Sequence, residues 1–433
     1  MSKIKCGVCE KIITPSLEKK YGMPGYPWRR EATGVTSELL ANVMVLGDGE
    51  KKIVLVSLDL LNVLTNWVNE LRASLSEKFG LDTDSIMISA THTHTGSPTP
   101  GAKWTHEEPE NSVYVAEIVT EAVKEALDNM RSVNISFGEG VEDRVSFNRI
   151  YKMNDGKYVS NPRGARVADI VCPSAPIDYS VRVIRFDDEN GKTIAQIVNY
   201  GNHADSTGGE NYCADWPGVM RDILKEKFGK DMVVLTFNGC CGNVNHVNLF
   251  LKEGEAPYNY LKVGNCLGET VLKINENMSP VPDTSVNYSR KVLNLKRRQP
   301  TDADYEWAVK ALDDPNTTNH NRGYANTIIS FRKNPILYAE IELQAFRIGD
   351  CGIATLPVEA FADTGMKIKA ESPLERTLVC ELANGSCGYV ATEPVYSANT
   401  YESRLSHSQY LSATDADTMA DTLNALMNSF LEK

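Results

Sequence analysis

The chain has no long hydrophobic run. Nowhere in its 433 residues do enough consecutive apolar side chains stand together to cross a bilayer as a helix, which excludes a helical membrane-spanning protein. The opening residues, Met1-Ser2-Lys3-Ile4-Lys5-Cys6, hold no apolar segment of the kind that forms a secretion signal. The expectation is a cytoplasmic protein. Basic residues are not in excess either: 45 Lys and Arg stand against 57 Asp and Glu, for a net charge of -12. That balance argues against a general nucleic-acid binder and against stable association with anionic membranes. Cysteine is present, at ten residues, but not in metal-binding register. Cys6 and Cys9 form a lone C-x-x-C with no second pair to complete a zinc knuckle. The adjacent Cys240 and Cys241 read as packing residues rather than a redox couple. Internal repeats, low-complexity tracts and linkers are absent, so residues 1–433 read as a single domain.

What is present fits a globular protein, with 42% hydrophobic and 24% charged residues. Strand-like and helix-like patterns alternate, which points to the α/β class with a largely buried sheet. Residues 52–58 read as a buried strand ending at Asp59. The next segment places Trp67, Val68, Leu71, Leu75 and Phe79 on one helical face, with Thr65 as its cap and Gly80 as its stop. Residues 113–130 read as a second amphipathic helix. Runs at 180–187 and 193–200 flank Asn190-Gly191, a strong hairpin signal. A buried strand over 232–237 ends at Asn238-Gly239-Cys240-Cys241-Gly242, and another ends near Leu356. The last helix spans about 415–431, with Met419, Leu423, Leu426 and Phe430 on one side.

Polar residues with chemical capability recur just past these strand ends, where open α/β sheets bind ligands. The strongest case is Ile86-Met87-Ile88-Ser89-Ala90-Thr91-His92-Thr93-His94-Thr95-Gly96. Two of the chain's seven histidines stand two apart at a strand end. In a strand, residues i and i+2 face the same side, so His92 and His94 are expected to project together. Histidine is the commonest metal ligand and the natural proton carrier near neutral pH. His203, after a third strand, and the carboxylates Glu359 and Asp215 complete a ligand set suited to a catalytic zinc. A pair of structural histidines is the competing reading. Asp215 also reads as a helix cap, and Asp205 as an acceptor that orients a ligand. His246 follows a strand end and reads either as a pocket residue or as a hydrogen-bonded loop histidine. His106 sits in a polar loop, and His320 and His407 lie in polar surroundings that suit the surface.

Ordered motifs along the chain resemble the N-terminal catalytic domain of the neutral/alkaline non-lysosomal ceramidases. They are Ile13-Thr14-Pro15, Met23 through Tyr26, Ser57-Leu58-Asp59, Thr91 to Gly96, Asn202-His203, Leu356-Pro357-Val358-Glu359, Gly388-Tyr389-Val390 and Tyr401-Glu402. The resemblance implies a central mixed β-sheet flanked by helices. It also implies zinc held by His92, His203, Glu359 and Tyr389. His94, Arg149 and Tyr401 then resemble residues that position a carbonyl and stabilise its oxyanion, with Glu359 assisting proton transfer. Asn245 and His246 are expected to contact the substrate.

Two departures shape the expected chemistry. The family has Gly-Asp-Val-Ser after the central strand, with the serine implicated in function, where this chain has Gly242-Asn243-Val244-Asn245. A primary amide is not a usable nucleophile, so zinc-activated water is expected to act. The chain also stops soon after Tyr401, so the family's C-terminal β-sandwich is not expected. The resulting expectation is a zinc-dependent hydrolase that cleaves an N-acyl amide bond of a small, soluble substrate. The alternatives are a zinc-dependent glycoside, ester or lactone hydrolase, or a non-catalytic zinc-containing binding protein. The sequence does not set the oligomeric state.

Overall fold

Period-two alternation of apolar side chains splits each central strand between two cores. In the strand Leu40–Gly47, Val43 and Val45 face one core while Met44 and Leu46 face another. Ile53 and Leu55 alternate in the same way with Val54 and Val56 in the strand Lys52–Leu58. A computed structural model describes residues 4–26, 28–102 and 108–432; His106 lies outside the described residues. These strands belong to a nine-stranded mixed sheet. Its order from one edge is Val233–Asn238, Thr193–Tyr200, Ser180–Asp188, Arg131–Val141, Lys5–Ile12, Leu40–Gly47, Lys52–Leu58 and Ile86–Ala90, with Ser279–Pro280 also pairing to Arg131–Val141. Both edge pairs are parallel and the interior pairs are antiparallel.

Lys5–Ile12 and Arg131–Val141 share only two register pairs, Lys5 with Ser132 and Cys6 with Arg131. The sheet turns at that seam and its two halves face each other across a common core. Met44, Leu55 and Met87 of one half meet Phe186, Leu235 and Phe237 of the other. A four-stranded sheet, Val286–Lys296, Tyr338–Ile348, Cys351–Leu356 and Arg376–Glu381, adds Phe346, Ile353 and Leu378 to the same core. Helices cover the outward faces. Thr65–Phe79 and Pro109–Asp128 pack on one half, Asp215–Phe228 and Tyr260–Asn275 on the other, and Ala362–Glu371 with Ala413–Asn428 on the smaller sheet. No helix among the described residues is long and apolar enough to cross a membrane.

The architecture agrees with a mixed sheet flanked by helices, and local details differ. Thr65 is the first helical residue rather than the cap, and Leu64 occupies the cap position without a side-chain bond. The second helix begins at Pro109, earlier than its apolar periodicity suggests, because proline suits the first helical turn. Cys6 and Cys9 are buried in different cores, so they cannot share a metal.

One edge strand carries the histidine motif, and its open edge is closed by a buried polar cluster. Ile88 N donates to Asn384 Oδ1 at 2.9 Å, and Asn384 N donates to Ile88 O at 2.7 Å. Arg72 donates to Ile86 O and pairs with Glu342 at 2.7 Å, and both side chains are buried. These contacts replace the partner strand that an edge otherwise exposes.

Candidate metal centre

The site forms where strand ends from both halves of the sheet meet the smaller sheet. Asn238 joins them: its Nδ2 donates to Thr91 O at 3.3 Å and to Asn202 O at 3.1 Å, while its Oδ1 accepts from Asn202 N at 3.2 Å. Asp59 anchors the neighbouring strand end, accepting from Arg221 Nη2 and Leu40 N.

His92 and His94 come together by a turn and not by strand alternation. The strand ends at Ala90, and His92 adopts a left-handed φ of 71°. Its N–H donates to Leu60 O at 2.9 Å, and His94 N donates to Ala204 O at 3.0 Å. The two ring centroids are 5.0 Å apart. The expectation of shared strand geometry therefore fails, because backbone hydrogen bonds to two other segments bend the chain after Ala90.

His92, His94 and His203 form a buried cluster able to hold a metal ion, with ligand atoms within 4.8 Å of one another. His92 Nδ1 donates to Leu61 O at 2.8 Å, and His203 Nδ1 donates to Cys241 O at 3.2 Å. A carbonyl only accepts, so each Nδ1 carries the proton and each Nε2 presents a lone pair inward. Those two Nε2 atoms are 3.0 Å apart. Glu359 Oε2, buried and without a hydrogen-bond partner among the described residues, lies 3.3 Å from His92 Nε2 and 3.6 Å from His203 Nε2. Three electron-rich atoms this close repel unless a cation sits among them. A point equidistant from atoms with these separations lies about 1.9 Å from each, against zinc–ligand bonds of about 2.0–2.2 Å. The donor set thus fits a zinc-sized ion. Burial opposes charge on His92, yet the Glu359 carboxylate raises its pKa above the usual value. Burial, with the neighbouring His92, holds both His203 and His94 well below theirs.

Glu359 and Tyr389 are brought side by side by a two-residue parallel pairing, Glu359–Ala360 with Tyr389–Val390. Glu359 N donates to Gly388 O at 2.9 Å. Gly242 lets this unit seat against the central strand's loop. Its N–H donates to Ala360 O at 2.8 Å, and a Cβ there would stand 2.6 Å from Glu359 O. Burial raises the Tyr389 phenol well above its normal range, while Arg149 works against that rise.

The other residues expected from the sequence surround this centre. The Arg149 guanidinium lies 5.2 Å from the centre of the Tyr389 ring and pairs with buried Glu402 at 2.8 Å. The Tyr401 ring lies 5.8 Å from that of Tyr389, and its hydroxyl is pushed up to about 12, first by desolvation and then by Glu359. His94 Nδ1 is 3.8 Å from Asp205 Oδ1. Neither ring nitrogen of His94 has a hydrogen-bond partner among the described residues. Tyr26 donates to Asp205, and Gly25, with φ 104°, lies so close to His94 that a Cβ would stand 2.7 Å from Nδ1. His246 is held below its ordinary pKa by burial, opposed by Asp215 and Asp205. Asn245 Nδ2 donates to Asn161 Oδ1 at 3.0 Å, and Asn161 N donates to Arg149 O at 2.7 Å.

One expectation needs correction and another is extended. Asp215 is not available as a ligand: it opens its helix and accepts from Ser206 N, Thr207 N and Trp216 N, which fixes the loop that carries His203 and Asp205. Cys241 does more than pack. Its thiol donates to Glu381 Oε1 at 2.9 Å, and Glu381 Oε2 accepts from Ala360 N at 3.0 Å. Glu381 thereby links the segment behind His203 to the segment carrying Glu359. Sequence reading overlooked it, although Glu381 ends an apolar strand just as the other site residues do. Its pKa is raised to about 8, chiefly by burial. His320 and His407 are exposed, as expected.

The model of the neutral/alkaline non-lysosomal ceramidase N-terminal family matches residues 5–228, just over half of the chain. No curated protein matches. Two solved structures align with 99% of this chain and 75% of their own: neutral ceramidase from Pseudomonas aeruginosa, with a TM-score of 0.76 at 17% identity, and a ceramidase complexed with C2, with a TM-score of 0.75 at 17% identity. At that identity the structural likeness speaks to the fold, and the family match speaks to descent. The chain belongs to the neutral/alkaline non-lysosomal ceramidase family.

Proposed function

We propose that this protein is a zinc-dependent hydrolase that cleaves an N-acyl amide bond in a small, soluble substrate, with His92, His203, Glu359 and Tyr389 as the metal ligands. The observation that carries this reading is the convergence of two imidazole lone pairs and an unpartnered carboxylate oxygen at zinc-binding separations. A zinc ion there supplies Lewis acidity and makes water nucleophilic at neutral pH.

The chain's own residues set the rest of the chemistry. Arg149, fixed by Glu402, holds a permanent positive charge beside the reacting carbonyl. Tyr401, protonated at neutral pH, offers its hydroxyl to the developing oxyanion. His94, neutral and without a hydrogen-bond partner among the described residues, is free to bond the substrate or pass a proton. Glu359 can take the proton of the attacking water through the oxygen that does not face the histidines. Asn245 stands where the family has a serine, and no side-chain nucleophile is needed. Asn245 and His246 contact the substrate at the rim.

The test is a panel of N-acyl amides, esters, lactones and glycosides incubated with the protein before and after chelation. Chelator-sensitive hydrolysis of amides, restored by zinc, is the expected result. Exclusive cleavage of another class would assign that chemistry instead, and zinc retention with no turnover would make the protein a binder.

A further inference from the structure

A cavity of about 300 Å³ that the proposed reaction does not use is lined in part by Asn399, Arg404 and Leu405, the residues on either side of Tyr401. Its wall carries two arginines, Arg298 and Arg404, against one carboxylate, Asp304. Asp304 is already engaged, since its Oδ2 accepts from Thr301 N and Thr301 Oγ1 in a helix cap. The Arg404 guanidinium rests against two aromatic rings, 4.6 Å from the centre of Trp307 and 4.1 Å from that of Tyr324. One of its nitrogens donates to Asn321 Oδ1 at 3.2 Å. A guanidinium fixed this way loses little freedom when it binds a planar anion. Arg298 Nη2 donates to Ser403 O and Gln409 O, while its buried Nε has no partner among the described residues. Gln299, Thr301 and Asn399 add further polar groups to the wall, and Trp307, Ile328 and Leu405 supply its apolar part.

The cavity is tied to the reaction centre by one turn of chain. Arg404 N donates to Thr400 O at 2.8 Å, so that turn carries both Tyr401 and Arg404. Arg298 grips the same segment through Ser403 O.

We propose that this cavity is the subsite for an anionic group, a carboxylate or phosphate, carried by the substrate on the side of the bond that Tyr401 flanks. The inference rests on the hydrolase reading given above, and it makes the substrate an acidic N-acyl compound and not a neutral lipid.

A matched pair tests it: N-octanoylglycine and its neutral glycinamide. The wild-type protein is expected to favour the acid by about tenfold or more in kcat/KM, and Arg404→Gln to collapse that ratio by a similar factor. Equal kcat/KM for the two compounds, or an unchanged ratio in Arg404→Gln, overturns the proposal. Calorimetry with N-acetylglycine and with inorganic phosphate supplies an arm that needs no turnover. Binding of N-acetylglycine should persist in His92→Ala and vanish in Arg404→Gln. If neither amide is cleaved, the hydrolase reading fails, and this arm still decides the site. Loss in His92→Ala with retention in Arg404→Gln places the anion at the centre and refutes the subsite. Binding of phosphate without N-acetylglycine makes it a free-anion site and also refutes it. Should Arg404→Gln not fold, Arg298→Gln takes its place with the same expected signs.

Discussion

Replacing Glu381 by glutamine tests whether a residue that touches no substrate sets the shape of the proposed metal site. Glu381 is fully buried and its two oxygens each accept one bond, from Cys241 Sγ at 2.9 Å and from Ala360 N at 3.0 Å. Cys241 O in turn accepts from His203 Nδ1, and Ala360 directly follows Glu359. A glutamine keeps one acceptor. If its oxygen serves Ala360 N, its amide NH₂ faces the Cys241 sulfur, a weak acceptor. Because burial raises the Glu381 pKa to about 8, the comparison is made near pH 9, where the carboxylate offers two acceptors and glutamine one, and the expected stability loss there is roughly 1–2 kcal/mol. Alanine leaves both buried donors unpaired and costs roughly 2–5 kcal/mol, a large share of a typical domain's stability of about 5–15 kcal/mol. Glutamine is therefore the cleaner probe. Changing an outer partner of a metal ligand typically weakens metal affinity by about 10–100-fold, and a value near the lower end is expected here because the geometry is partly retained. The assay is zinc competition against a chromophoric chelator, with urea denaturation run in parallel. Wild-type zinc affinity in Glu381→Gln, together with unchanged stability, would refute the clamp.

Three further outcomes follow from the same geometry. His94→Asn and Tyr401→Phe should retain zinc and lower kcat by about 10²–10³-fold, the usual cost of an oxyanion donor; equal kcat in steady-state assays removes them from the reaction. Gly242→Ala should reduce zinc content measured by mass spectrometry, because the added methyl meets Glu359 O at 2.6 Å and pushes the ligand-bearing segment away; full zinc content refutes this. The partly buried pair of Lys369 and Asp178, 2.9 Å apart, gives a pH signature. Burial opposes charge on Asp178, but Lys369 holds its pKa below the ordinary carboxylate value. A depressed folded-state pKa adds stability at higher pH that is lost as pH falls below about 4. Asp178→Asn should cost roughly 1–2 kcal/mol at neutral pH and flatten the acid limb in denaturation curves measured from pH 3 to 7.

The parts of the site legible in the sequence were those with a short-range signature. Two histidines two apart at the end of an apolar run stand out when the chain holds only seven. The strand at 52–58, the hairpin around Asn190-Gly191 and the last helix were readable because their apolar periods are local. What stayed hidden depends on contacts distant in sequence. The turn that aims His92 is made by a bond to Leu60 and a left-handed backbone, which strand alternation cannot show. Tyr389 meets Glu359 through a pairing only two residues long, with no propensity signal of its own. The seam at Lys5 and Cys6 and the separate four-stranded sheet are matters of strand partnership, and alternation identifies strands without naming their partners. Asp215 had two readings from its type and position, and its bonds to Ser206 and Thr207 decide for the structural one.

The central claim is that His92, His203 and Glu359 converge on a cation. Metal content of the purified protein tests it most directly, with His203→Ala, Glu359→Gln and His94→Asn measured beside it. The prediction is about one zinc per chain in the wild type and in His94→Asn, and loss of most of it in the other two. Undiminished zinc in both His203→Ala and Glu359→Gln, or a wild-type protein that takes up none when zinc is supplied, contradicts the claim.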